Sequence, residues 1–317
     1  MEAVARTPRG RWRYALEERR FLAPLLISPA VLYIALLIGA PLGLSVYLSL
    51  TDATSGNLSG HFVGLHNYID AWNVANFRRA LWNTVFFTLV SQAIVLVGAA
   101  ILAHRLVRPF RGRWFLRFLV LLPWAAPVAL STIGWLWIFE STFSVVNWTL
   151  IHLQTGVLGH LGLHLVDPID PPQWLGRPHL AMAAIIAVHS WRILPFATVV
   201  FIAGLASIPA EVDDAAKVDG ATGLKKLFYV TLPLQLPIAL VALLFGIVFT
   251  ATDITVVYIL TNGGPFNQTQ VLPMLAYQTG INGHSLGNGA AISLYLLPIL
   301  VAVSIAMLWF ARRAEVT

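Results

Sequence analysis

Four stretches of this chain, 24–50, 80–103, 118–139 and 290–311, contain no Asp, Glu, Lys or Arg. Two more, 180–206 and 232–260, are each interrupted by a single charged side chain, Arg192 and Asp253 respectively. A bilayer core about 30 Å thick is crossed by roughly 20 helical residues, so every one of these stretches is long enough to span it. In hydrocarbon each backbone N–H and C=O must be satisfied within the protein, which leaves helices or closed barrels. Barrel strands alternate apolar and polar residues over about ten positions, whereas these runs are longer and apolar throughout. With 58% hydrophobic and 11% charged residues, the expectation is an all-α integral membrane protein of six transmembrane helices.

The basic residues set the orientation. Sixteen of the 20 Lys and Arg lie in the N-terminal tail, the 104–117 loop, the loop holding Lys217, Lys225 and Lys226, and the C-terminal end, while the opposite loops hold only Arg78, Arg79 and Arg177. The positive-inside rule then places both termini in the cytoplasm. The expected organisation is a cytoplasmic basic tail (1–23), a first helix (24–50), an outer loop (51–79), a five-helix core (80–310) and a cytoplasmic tail (311–317). The core contains an outer loop at 140–178 and a cytoplasmic loop at 207–231. The net charge of +6 reads as orientation and attraction to lipid headgroups, with no call for nucleic-acid binding. No cleavable signal peptide is expected, because the first apolar run is too long and lacks a small-residue cleavage site after it. Without Cys, disulfides and thiolate chemistry are excluded.

Five of the six runs contain proline: Pro29 and Pro41, Pro123 and Pro127, Pro195, Pro237, and Pro298. Proline opens the helical hydrogen-bond ladder, and membranes tolerate this where neighbouring helices or a wet cavity satisfy the freed carbonyls. A bundle surrounding a pathway fits that pattern, and kinked structural helices fit it as well. Both outer segments are long enough for short structure, although Asp167-Pro168-Ile169-Asp170-Pro171-Pro172 cannot form one helix.

Between the fourth and fifth runs lies a polar cassette, Asp214-Ala215-Ala216-Lys217-Val218-Asp219-Gly220-Ala221, followed after eight residues by Val230-Thr231-Leu232-Pro233. Pro209 and Glu211 suit the positive start of a helix, the alanines propagate it, and Asp219-Gly220 end it through the left-handed conformation open to glycine. A second short helix is expected over 223–230, before Pro233 opens the fifth span. The cassette is either an interfacial loop on the headgroups or a small-residue surface that another protein's backbone can approach closely.

These residues resemble the cytoplasmic signature of binding-protein-dependent ABC importer permeases, Glu-Ala-Ala-x-x-Asp-Gly-Ala followed eight residues later by Ile-x-Leu-Pro. Asp214 stands where the family usually has Glu, and Val230 where it usually has Ile. The segments from Trp191 to Phe196 and from Ala203 to Pro209, the stretch Leu260-Thr261-Asn262-Gly263-Gly264-Pro265 with Gln268-Thr269, and Gly287-Asn288-Gly289-Ala290-Ala291 resemble the carbohydrate-uptake branch, similar to maltose and glycerol-3-phosphate permeases. The resemblance covers 81–310. It implies a type I ABC importer permease fold in a bacterial-type inner membrane, acting as a transport subunit without catalytic residues of its own. Its implied partners are a second, different permease subunit, two copies of a cytoplasmic ATPase, an extracytoplasmic solute-binding protein and membrane lipid. The chain has no Gly-x-x-x-x-Gly-Lys-Ser/Thr phosphate loop, so ATP and Mg belong to the partner ATPase, and no cofactor or metal is expected here. On this resemblance Asp214 and the alanines Ala215, Ala216 and Ala221 contact the ATPase, Asp219 and Gly220 set the corner, and Leu232-Pro233 lead into a gated span.

Candidate pathway residues are Trp191, Arg192, Phe196, Asp253 and Tyr258. Arg192 lies about 12 residues into its run, roughly 18 Å deep at about 1.5 Å per residue. A charge at that depth faces the protein interior or a cavity, either to donate to solute or to pair with backbone carbonyls or Asp253. Asp253 is placed near the outer end of its run as a rim or gate residue. Aromatic rings could stack on a pyranose face or simply pack, and Asn262-Gly263-Gly264-Pro265 could shape the outer mouth or simply close a loop. Other signals fail on context. Gly283-His284-Ser285-Leu286-Gly287 precedes a span and lacks the strand of a nucleophile elbow. His160 and His164 have no third metal ligand, and the glycosylation patterns at Asn57 and Asn147 carry no weight in a bacterial-type importer. Two other functions remain open: an ion-gradient-driven secondary carrier, whose inverted repeats and paired midplane acids are not evident, and a non-transporting scaffold that docks a cytoplasmic ATPase.

Overall fold

A computed structural model describes residues 19–141, 144–155 and 166–316; His160, His164 and the tail arginines up to Arg13 lie outside them. In chain order the helices are α1 (Leu22–Ser49), α2 (His66–Asn73), α3 (Ala75–Val107), α4 (Arg113–Ala125), α5 (Val128–Phe139), α6 (Val145–Leu153), α7 (Pro178–Ala206), α8 (Ala210–Val218), α9 (Gly223–Ala251), α10 (Thr255–Thr261), α11 (Leu272–Tyr277) and α12 (Leu286–Arg313). Helices α1, α3, α7, α9 and α12 are each long and apolar enough to cross a membrane, and α4 with α5 is a bent pair that passes the same length and composition test when taken together, for five or six candidate crossings.

The third run is not the unbroken helix its composition suggests: α4 and α5 meet at 97°. Ala126 precedes Pro127 and is extended (φ −71°, ψ 139°), because the proline ring disfavours helical geometry in the residue before it. The fifth run departs in two ways. The helix expected over 223–230 is continuous with the span, and the span stops at Ala251, so Asp253 stands in the break before α10. A π turn, Leu227–Thr231, lies just ahead of Pro233, and a second, Ala35–Gly39, just ahead of Pro41. A widened turn re-satisfies backbone groups where proline withholds its N–H, so both helices run through.

Helices α3 and α7 pack along each other at the centre, with α9 against both. Between membrane helices, apolar burial gains little over lipid, and close packing through small residues takes its place. Thus Ala99, Ala103, Ala197 and Ala242 are buried with Val95, Ile193 and Phe201 toward the α8 end. A second cluster toward the other end joins Phe87, Ile185, Val188, Val256, Val257 and Met274. Helix α1 is exposed along most of its length, and its last turns pack on the start of α12. There Gly287 donates its N–H to the Ala53 carbonyl at 3.0 Å. A Cβ at Gly287 would lie 2.1 Å from the Thr51 carbonyl oxygen, and one at Gly289 2.4 Å from Gly280 Cα. The glycines of 287–291 are therefore required by backbone contact.

Candidate functional site

A polar layer separates the two apolar clusters. On α7, Val188 belongs to one cluster and Ile193 to the other, so His189 and Arg192, three residues apart on one helix face, lie between them. Arg192 Nη2 donates to Asp253 Oδ2. His189 bridges Asp253 Oδ2 through Nδ1 at 3.0 Å and Thr250 Oγ1 through Nε2 at 2.9 Å. Gln92 of α3 donates from Nε2 to Thr250 Oγ1 at 2.7 Å, and Asp253 Oδ1 accepts the Thr255 N–H at 2.7 Å. One carboxylate in the α9–α10 break thus holds α7, α9 and α10 together, and Gln92 extends the network to α3. The Arg192 and Asp253 side chains are 14% and 6% exposed. A buried ion pair of this kind has a large cost if either partner is removed, because the other charge is stranded. Gly246 makes room for the network, since a Cβ there would lie 2.0 Å from Gln92 Oε1.

Arg192 and Asp253 are the candidate pathway residues that meet. The other three take separate neighbours. Trp191 meets Trp135 of α5 edge-on at 5.4 Å, Phe196 joins Trp124, Phe245 and Phe249, with Trp124 stacked at 5.2 Å, and Tyr258 meets Tyr277 at 5.9 Å. Sequence reading missed His189, Thr250, Gln92 and the Phe196 aromatic group. The signal for His189 was its place one turn before an intramembrane Arg that needed partners.

The turn after α10 is held from within. Asn262 and Gly263 have φ of 49° and 82°, and the Gly264-Pro265 peptide is cis. Thr269 donates from its N–H to the Gly263 carbonyl at 3.1 Å and from Oγ1 to the Gly264 carbonyl at 2.6 Å. Asn83 of α3 donates to the Gln268 and Gln270 carbonyls at 2.8 and 2.9 Å, which ties this turn to the central helix. Phe266 at its tip is exposed.

At the opposite end, α8 links α7 to α9. Pro209 precedes it with extended geometry, Glu211 and Asp213 stand in its first turn and Lys217 in its last, which complements the helix dipole at both ends. Gly220 takes φ 70°, and the Ala221 N–H reaches back to the Ala216 carbonyl at 2.8 Å, a glycine-terminated C-cap. Asp213 pairs with both Lys217 and Lys226, so α8 is tied to the start of α9. Ala216 and Ala221 are buried within the chain, whereas Asp214, Ala215, Asp219 and Gly220 are exposed beside Val218, Leu224, Phe228 and Tyr229. Leu232 is half-buried at the head of the continuous α9, with Pro233 exposed beside it.

A helical bundle with five or six candidate crossings, a charged layer between its two apolar clusters and a short helix in the loop at one end defines a multi-pass membrane protein. The chain belongs to the binding-protein-dependent transport system inner membrane component family, which matches residues 95–316. It is 32% identical over 301 residues to the sulfoquinovosyl glycerol transport system permease protein SmoG of Agrobacterium fabrum, covering 93% of this chain and 92% of that one. It is 30% identical to the trehalose/maltose transport system permease protein MalF of Thermococcus litoralis, covering 92% and 94%. A bacterial ABC transporter involved in the import of the acidic polysaccharide alginate shares the fold, with a TM-score of 0.77 at 18% identity over 96% of this chain and 99% of that one. The expected all-helical type I ABC importer permease fold and inner-membrane location therefore hold.

Proposed function

We propose that this chain is one permease half of an ATP-driven importer that carries a sugar or sugar-like solute inward, with its arginine-rich end in the cytoplasm and α8 seated on a separate ATPase. The observation that carries this reading is the build of α8. It is short, closed at its C-terminal end by a glycine cap, joined to two spans and flanked by exposed apolar side chains. A force on such an element moves α7 and α9 together. Asp214, Ala215, Asp219 and Gly220 are the contact surface in this reading, while Ala216 and Ala221 hold α8 on its own chain. The solute class follows from the relatives named for sulfoquinovosyl glycerol and trehalose/maltose transport. A second, different permease subunit, two ATPase copies carrying ATP and Mg, and an external binding protein complete the assembly. One structural relative is described in complex with an alginate pentasaccharide-bound periplasmic protein.

Arg192 and Asp253 present a fixed, mutually neutralised pair to the pathway in this reading. Trp191, Phe196 and Tyr258 contribute apolar walls, and Asn262-Gly263-Gly264-Pro265 a rigid rim at the outer mouth. The test is copurification of the ATPase with an Asp214→Lys chain. The Asp214 side chain is 72% exposed and pairs with Lys217, so charge reversal leaves folding intact. Insertion at normal levels with loss of the ATPase is the expected result, and normal ATPase recovery overturns the docking role.

A further inference from the structure

We propose that the cleft between α3, α4 and α7 at the α8 end binds one anionic phospholipid, with its phosphate on Arg117 and an acyl chain in the apolar throat. The cleft has a volume of about 190 Å³ and is lined by Leu106 of α3, Arg117, Val120 and Leu121 of α4, and Thr198, Val199 and Ile202 of α7; the Thr198 hydroxyl is spent on the Leu194 carbonyl at 2.8 Å. Leu121 and Val199 are exposed on the surface of the chain, so the throat is open to the outside, on the side that in this proposal faces lipid. Leu106 and Ile202 stand near the ends of their helices, so Arg117, hydrogen-bonded to the Leu106 carbonyl, lies near the end of the bundle, where headgroups would be reached.

The charge here lacks a counterion. Arg117 Nη2 donates to the Leu106 carbonyl at 3.0 Å, and its Nε is buried without a partner. The sequence has no Asp or Glu between Asp70 and Glu140. Among the described residues none of Arg105, Arg108, Arg111, Arg113 and Arg117 forms an ion pair. A half-buried guanidinium is costly without an anion, and its planar fork matches phosphate oxygens well. Exposed Arg105, Arg108 and Arg111 add long-range attraction to the same end. An acyl chain entering the throat exchanges one apolar surrounding for another, so headgroup charge sets selectivity while the throat sets position.

The test is native mass spectrometry of the purified membrane assembly titrated with phosphatidylglycerol or phosphatidylcholine. One phosphatidylglycerol is expected to bind about tenfold more tightly, the worth of one hydrogen bond to a charged group. Arg117→Gln should remove that preference, and Val199→Trp, which fills the throat and keeps every arginine, should lower binding of both lipids. A photoreactive group at residue 199 should cross-link to lipid. Equal affinity for the two lipids, unchanged binding in either variant, displacement of the lipid by inorganic phosphate, or a cross-link to a partner protein each overturns the proposal.

Discussion

Asp253 shows how one residue in a chain break can organise a membrane protein. Its two oxygens receive Arg192, His189 and the Thr255 N–H, so removing its charge strands Arg192 inside the bundle. Asp253→Asn or Arg192→Gln should each cost about 3–5 kcal/mol of stability, the usual range for breaking a buried pair. The double variant should lose less than the two singles combined, because neither charge is then left alone. A double-mutant cycle on detergent denaturation of the chain checks this, and strict additivity would show that the two do not act as a pair. Gly246→Ala should cost about 1–3 kcal/mol by overpacking, since its Cβ would overlap Gln92 Oε1. Gln92→Ala in the same background should recover part of that loss in the same denaturation assay. The sequence made Arg192 and Asp253 conspicuous as lone charges in apolar runs. Thr250 and Gln92 gave no such signal, because a polar neutral residue in a span is ordinary until a partner is placed beside it.

At the scale of elements, proline decides where these helices bend and where they run through. Pro127 breaks the third crossing because the residue before it must extend. Pro41 and Pro233 do not break α1 and α9, and each follows a π turn, while Pro195 and Pro237 sit within continuous helices without one. The sequence marks every proline alike, so it could not separate these outcomes; neighbouring packing and the adjoining turn decide. The glycines at 287–291 were legible as a motif, but their reason is a contact between helices far apart in sequence. Gly287→Ala should sharply reduce the yield of folded, membrane-inserted chain, because its Cβ would meet the Thr51 carbonyl at 2.1 Å and backbone cannot step aside as a flexible side chain can. Membrane-fraction immunoblotting measures that loss.

For the molecule as a whole, the proposed importer requires external binding protein and ATP together. In proteoliposomes holding the full assembly, removing either should abolish uptake, and an ion gradient alone should not restore it; gradient-driven uptake would point to a secondary carrier. The helical class and the apolar runs were readable from the sequence, because hydrocarbon permits only long, internally satisfied apolar helices; the end of the loop around α8 was not, since the helix from Gly223 runs on into the span. The corner at Asp219-Gly220 was readable too, since few residues besides glycine accept φ 70°. Only the tertiary structure decided that Arg192 is paired, that Ala216 and Ala221 turn inward while Asp214 and Ala215 face out, and that Arg117 stands at an apolar cleft without a counterion. Each of these depends on which helices lie side by side. In a bilayer, where every apolar face is equally satisfied by lipid, that choice rests on close packing and a few polar contacts, and these join residues scattered along the sequence.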